Sequence, residues 1–180
     1  MPTGKNLTNI KKAEFVDYGY KLKPTSGELK TIIDDIVATG DNLGTKTEII
    51  VDKLMVENGY TKMDGKYGSN NGYDGIYIKG TIENPTEIVI IESKQFKYVN
   101  NKAENIVEHG GVTTNGPNDN TGLPTQMSDP WVEYVRTKLA QSGKTEISNM
   151  IRDFDNKISK YVTAIDKIQG EINFLKLGKY

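Results

Sequence analysis

Two early stretches place apolar residues three and four apart behind a polar start. In "TSGELKTIIDDIVATG", Leu29, Ile32, Ile33, Ile36 and Val37 fall on one helical face, and Thr25 and Glu28 have capping-box spacing, with Gly40 as a stop. "GTKTEIIVDKLMVENGY" repeats the scheme with Thr45 and Glu48 as the box, Ile49, Ile50 and Leu54 on the face, and Gly59 as the end. The pattern then changes period. "KMDGKYGSNNG" is a turn-forming run, after which "YDGIYIK" and "TEIVIIESK" alternate or run apolar with β-branched residues, the signature of strands joined through "GTIENP".

Past Lys94 the pattern weakens. "QFKYVNNKAENIVEHGG" opens as strand or helix and runs into a polar loop over 110–124. Helix returns in "LPTQMSDPWVEYVRTKLAQSG", with Ser128 as N-cap, Pro130 early, Val132, Val135 and Leu139 on one face, and Gly143 as the stop. Finally Ile147, Met150, Ile151, Phe154, Ile158, Tyr161, Val162, Ile165, Ile168 and Ile172 recur at steps of three and four, which predicts one long amphipathic helix over 145–177.

The order helix, helix, strand, strand, mixed region, helix, helix predicts an α/β (α+β) sandwich around a small mixed sheet. A chain of 180 residues fits a single domain. On this reading 1–27 is a lead-in, 28–140 the core and 145–177 the terminal helix. No apolar run approaches the ~20 residues of a membrane helix, so no membrane span is expected. "MPTGKNLTNIKK" lacks the apolar core of a secretory signal.

Composition removes several chemistries. Without cysteine there is no disulfide framework, thiolate zinc site or cysteine nucleophile. His109 is the only histidine, which excludes a His-pair metal site; it lies in a loop pattern and reads as a solvated residue. The net charge of −1 argues against holding nucleic acid by bulk charge alone. Its distribution is uneven: 6 Lys against 3 acids in 1–30, 8 against 15 in 31–130, and 9 Lys and Arg against 6 in 131–180. An acidic centre between basic ends is compatible with carboxylates that gather a metal ion while lysines meet phosphates.

The candidate chemistry lies in the strand pair. An acid two residues before a lysine also occurs at Glu28-Leu29-Lys30, Asp64-Gly65-Lys66 and Asp155-Asn156-Lys157, but only Glu92-Ser93-Lys94 closes a β-branched run, Ile88 to Ile91. On a strand, Glu92 and Lys94 share a face. If the two strands pair antiparallel, Asp74 lies across from the end of the second. Asp74, Glu92 and the Ser93 carbonyl would then form an all-oxygen site suited to Mg²⁺ or Mn²⁺, with Lys94 on a phosphate or the attacking water. The plainer alternative is an Asp74-Gly75 turn beside an exposed Glu92/Lys94 pair worth under ~1 kcal/mol.

"GYDGIYIK…EIVIIESKQF" resembles the D…ExK core of the PD-(D/E)XK nuclease superfamily. With "QMSDPWVEYV" following in order, residues 44–140 resemble the restriction-endonuclease-like toxin domains of bacterial polymorphic and contact-dependent inhibition toxins. Tyr73, where a smaller aliphatic residue is expected, and "ESKQF" in place of "EAKYG" depart from that pattern. The resemblance implies a restriction-endonuclease-like sandwich and a divalent-metal endonuclease, with Mg²⁺ favoured over Mn²⁺ or Zn²⁺. DNA is the favoured substrate; a tRNA-type RNase, or a binding module without turnover, is the alternative. It further implies a larger delivery protein N-terminal to this domain, a cognate immunity protein, and action in the cytoplasm of a target cell. Glu48 becomes either a further member of the metal site or a helix cap, and Gln95 a polar residue that orients the site. Gln126, Ser128 and Asp129 fall within the third motif, with Trp131 expected in the core.

Overall fold

A computed structural model describes the backbone of residues 15–95, 97–99, 102–104 and 126–177, and the side chains of 21–93 and 126–177. Six strands form one sheet: β1 (Phe15–Leu22), β2 (Thr61–Met63), β3 (Gly75–Gly80), β4 (Pro85–Gln95), β7 (Ile158–Asp166) and β8 (Glu171–Leu177), in the order β1-β8-β7-β4-β3-β2. Of these neighbours only β4 and β7 run parallel, so the sheet is mixed. Strands β5 (Lys97–Val99) and β6 (Lys102–Glu104) pair with each other apart from it. Four helices complete the fold: α1 (Gly27–Thr39), α2 (Thr45–Glu57), α3 (Asp129–Gln141) and α4 (Thr145–Asp153). None is long and apolar enough to cross a membrane.

The sheet separates two cores, making three layers. On one face Ile76, Ile78, Ile88, Ile90, Val162 and Leu175 pack under α3 and α4 through Val132, Val135, Leu139 and Met150. On the other, Tyr77, Val89, Ile91, Ile165 and Phe174 pack under α1 and α2 through Ile33, Ile36, Ile50 and Leu54. Alternate residues of β4 thus enter opposite cores, as period-two side chains must. Cover on both faces is why its apolar run is continuous.

Strands β3 and β4 pair antiparallel, with Gly75 opposite Ile91 and Ile78 opposite Ile88. The third helix also forms as expected: Ser128 caps it, its Oγ accepting from the Trp131 N–H at 3.2 Å, and Gly143 ends it at φ +91°.

Three expectations need correction. The long helix over 145–177 does not exist. Helix α4 stops at Asp153, a 3-10 turn covers Asp155–Lys157, and the chain continues as the β7–β8 hairpin. A strand buried on both faces fills the three-and-four spacing of a helix as readily as its own. The deciding signals were Tyr161-Val162-Thr163, rich in β-branched residues, and the turn after Asp166. There the Asp166 carboxylate accepts from the N–H groups of Ile168 and Gln169 at 2.9 and 3.0 Å, and Gly170 sits at φ +63°. Because β7 lies directly against β4, the core does not end at residue 140. Nor is 1–27 merely a lead-in, since β1 forms the sheet edge against β8.

The capping boxes are the third correction. Ser26 and Gly44 occupy the N-cap positions and neither supplies a side-chain cap. Helix α2 is capped by buried Asp41, which accepts from the N–H groups of Lys46 and Thr47 at 3.1 and 2.8 Å and from the Thr47 hydroxyl at 2.7 Å. Glu28 instead pairs with Lys53 of α2 at 3.0 Å.

Candidate functional site

Asp74 precedes β3 by one residue, at the point where β4 continues past its neighbour. The N–H of Ser93 faces this gap and donates to Asp74 Oδ2 at 3.0 Å. The aspartate carboxylate therefore occupies the place of a missing strand partner for Ser93. Two glycines permit that path. Gly72 adopts φ +127°, where a Cβ would lie 2.2 Å from the Gly65 carbonyl oxygen, and a Cβ on Gly75 would lie 2.4 Å from the Tyr77 ring.

Between them, Tyr73 is 1% exposed. Its hydroxyl donates to the Val132 carbonyl at 2.7 Å and its ring meets Trp131 edge-on at 5.5 Å. Burial drives its phenol well above the ordinary tyrosine range. The departure at Tyr73 is thus a tie between the strand that carries Asp74 and the first turn of α3. Trp131 belongs to the core, as expected.

Glu92 is 3% exposed and lies on the α3 side of β4, where Gln126 Nε2 donates to its Oε1. Ser93 points to the opposite face, its hydroxyl 3.1 Å from that of Thr163. The predicted contribution of Ser93 was its carbonyl; the contact present between it and Asp74 is its N–H. The backbones of Lys94 and Gln95 pair in register with Ala164 and Ile165 of β7. Their side chains, like His109 and the loop over 110–124, lie outside the described residues.

Glu48 comes from α2, on the other side of the sheet. Its carboxyl is pushed above the usual range, first by burial and then by the negative charge of Asp74, against the lowering influence of Lys66 and Lys62. Asp41, not Glu48, caps α2.

Four participants were not foreseen as site residues. Lys66 Nζ pairs with Asp74 Oδ1 at 2.9 Å, and the loop bearing it is held by Lys144, which donates to the Lys66 carbonyl and pairs with Asp64 at 2.6 Å. Lys66 reads in the sequence as one more charge in a Gly-rich turn. Gln126 was visible only as part of a motif. Lys160, on β7, is 6% exposed and donates to the Met127 carbonyl at 2.9 Å and to Asp129 Oδ1 at 2.7 Å; the helical pattern assigned to 145–177 hid it. Tyr73 was noticed only as an irregularity.

A cleft of about 520 Å³ opens beyond Lys160, between α3, α4 and the β7–β8 pair. Arg152, Lys160 and Lys176 line it together with Asp129, Glu133 and Asp155, so its charges balance and it shows no preference for an anion. Neither Asp74 nor Glu92 lines it; both lie where β3 and β4 meet within the sheet.

The chain matches no family model, no curated protein and no solved structure.

Among the described residues no three acidic or histidine side chains form a group able to hold a metal ion. The residues present nevertheless fit a hard divalent cation of the Mg²⁺ class, which binds through one or two carboxylates and retains several waters. Asp74 and Glu92 would supply those carboxylates. Burial first and the charge of Asp74 second raise the carboxyl of Glu48, and Lys66 pairs with Asp74.

Proposed function

We propose that the chain is a divalent-metal-dependent endonuclease that hydrolyses the phosphodiester bonds of DNA, with the restriction-endonuclease-like fold and the toxin role implied by its motifs. The observation that carries this reading is the meeting of Asp74 with Glu92-Ser93-Lys94 on adjacent strands, through the 3.0 Å bond from the Ser93 N–H to Asp74. Support comes from the three-layer arrangement, a mixed sheet between two pairs of helices. Fold alone does not specify a reaction; here two acids flank the point where β4 continues past the start of β3.

A bound cation supplies positive charge at the scissile phosphate and lowers the pKa of a water molecule. Asp74 and Glu92 would hold it. Gln126 fixes the orientation of Glu92 by its hydrogen bond. Lys94, two residues beyond Glu92 in the same strand, steadies the phosphate or the attacking water. Lys66, which pairs with Asp74 at 2.9 Å, is the cation nearest to hand for a backbone phosphate. On the resemblance, the domain is carried by a larger delivery protein, acts in the cytoplasm of a target cell, and is neutralised in its producer by a cognate immunity protein.

The test is cleavage of supercoiled plasmid and, separately, of total tRNA by the purified chain with Mg²⁺, Mn²⁺, Zn²⁺ or EDTA, beside Asp74→Ala and Lys94→Ala. Plasmid nicking that needs metal and disappears in both variants is expected. Cleavage of tRNA alone changes the substrate to RNA. Folded protein that cuts neither polymer with any metal would overturn the reading and leave a binding module.

A further inference from the structure

Helix α3 enters the fold through Gln126 to Val132, and this entry is held by residues on or just before three central strands. From β4, Glu92 accepts the Gln126 amide. From the approach to β3, Tyr73 donates to Val132 and packs on Trp131. From β7, Lys160 reaches both the Met127 carbonyl and Asp129. The segment is held against its own preference: Met127 is fully buried and adopts φ +65°, a left-handed conformation unfavourable for a residue with a side chain.

We infer that Lys160 is a positioning residue: by clamping Met127 and Asp129 it sets Gln126 against Glu92, and so fixes one of the two carboxylates that receive the cation. This rests on the nuclease reading above. The physical case begins with burial. A lysine ammonium at 6% exposure loses most of its hydration and regains its interactions only through well-placed acceptors. Those acceptors lie on one short peptide, so the buried lysine keeps its partners only while that peptide stays in place. The peptide in turn has one side chain that reaches a proposed ligand. Groups behind metal ligands matter strongly; their loss costs on the order of 10–100-fold in metal affinity or activity.

The test is calorimetric Mn²⁺ titration and plasmid cleavage of the full chain, as wild type, Gln126→Leu, Lys160→Met and the double variant, with thermal melts of each. Gln126→Leu and Lys160→Met are each expected to weaken Mn²⁺ binding and cleavage by about tenfold. The double variant is expected to be no weaker than the worse single one, because both changes break one chain of contacts. A purely structural lysine would lower the melting temperature, leave Mn²⁺ affinity of the folded fraction unchanged, and add its effect to that of Gln126→Leu; that result overturns the inference. If Lys160→Met does not fold, Asp129→Asn weakens the same clamp from its exposed side. It is expected to reduce Mn²⁺ affinity in the same direction, and an unchanged affinity overturns the inference. Wild-type protein that neither binds Mn²⁺ nor cleaves sinks the nuclease reading itself. That outcome is distinct from an active wild type whose Lys160→Met variant behaves identically.

Discussion

The two helical layers treat the candidate centre in opposite ways. From the α1/α2 side comes a like charge: Glu48 faces Asp74, and its carboxyl is pushed upward by burial and by that aspartate. From the α3/α4 side come hydrogen bonds that fix geometry, with Gln126 on Glu92, Tyr73 on Val132 and Lys160 on Met127 and Asp129. One side holds electrostatic tension and the other supplies bracing. On the proposed reading, that division would let a cation relieve the tension on one side while the bonds on the other keep Glu92 in place.

The comparison breaks most severely at Trp131. It is 6% exposed, sits in the first turn of α3 and packs on Tyr73. Trp131→Ala is expected to cost about 3–5 kcal/mol of stability, the range for truncating a large core aromatic. Chemical denaturation measures this directly, and a loss below ~1 kcal/mol would mean that the bracing layer does not depend on this contact. Tyr73→Phe is milder and more selective. It removes only the hydroxyl that bonds the Val132 carbonyl and leaves that carbonyl without the bond, a change expected to cost about 1–3 kcal/mol. Because Tyr73 adjoins Asp74, the surviving folded protein is also expected to bind Mn²⁺ more weakly, which titration of the variant checks.

Bracing and tension differ in how far the sequence disclosed them. The β3–β4 pair, with Asp74 opposite the end of β4, follows from alternation and a turn-forming loop, both local signals. The Ser128 cap of α3 is equally local. Lys160 and Lys66 act through partners more than thirty and eight positions away respectively, and no spacing rule links a lysine to a carbonyl at that range. The β7–β8 hairpin was hidden for a further reason. Its residues are apolar on both faces because both faces are covered, so hydrophobic period ceases to distinguish strand from helix. Glu48 shows the converse risk: it had the right spacing for a capping box, but Asp41 lay one turn earlier with a carboxylate able to accept from two N–H groups.

The bracing face also buries an amide that has no hydrogen-bond partner among the described residues. Asn173 of β8 is fully buried, in register with Ala164, and neither its Oδ1 nor its Nδ2 has a hydrogen-bond partner. By strand alternation it shares the face of Leu175 and Leu177, which belong to the α3/α4 core. Removing an unsatisfied buried amide relieves a desolvation penalty, and a β-branched residue suits a strand. Asn173→Val is therefore expected to stabilise the fold by about 1 kcal/mol. A destabilised variant would show that the amide is engaged in solution.

The smallest effect, and the one that sharpens the comparison most, belongs to Glu48→Gln. A carboxyl raised in the folded state binds its proton more tightly there than in the unfolded chain. Folding is then favoured while Glu48 is protonated, and that advantage is lost as pH rises from the ordinary carboxylate value of 4.5 through the raised folded value. Glutamine carries no charge at any pH, so the variant is expected to melt slightly higher than wild type at pH 7, and the gap is expected to close as pH falls below the ordinary value. A divalent cation offsets the same repulsion, so Mn²⁺ is expected to stabilise wild type more than the variant. Melts across pH with and without Mn²⁺ read both effects. Parallel curves at every pH would place Glu48 outside the electrostatic field of Asp74, and the tension assigned to the α1/α2 side would then have to come from another group.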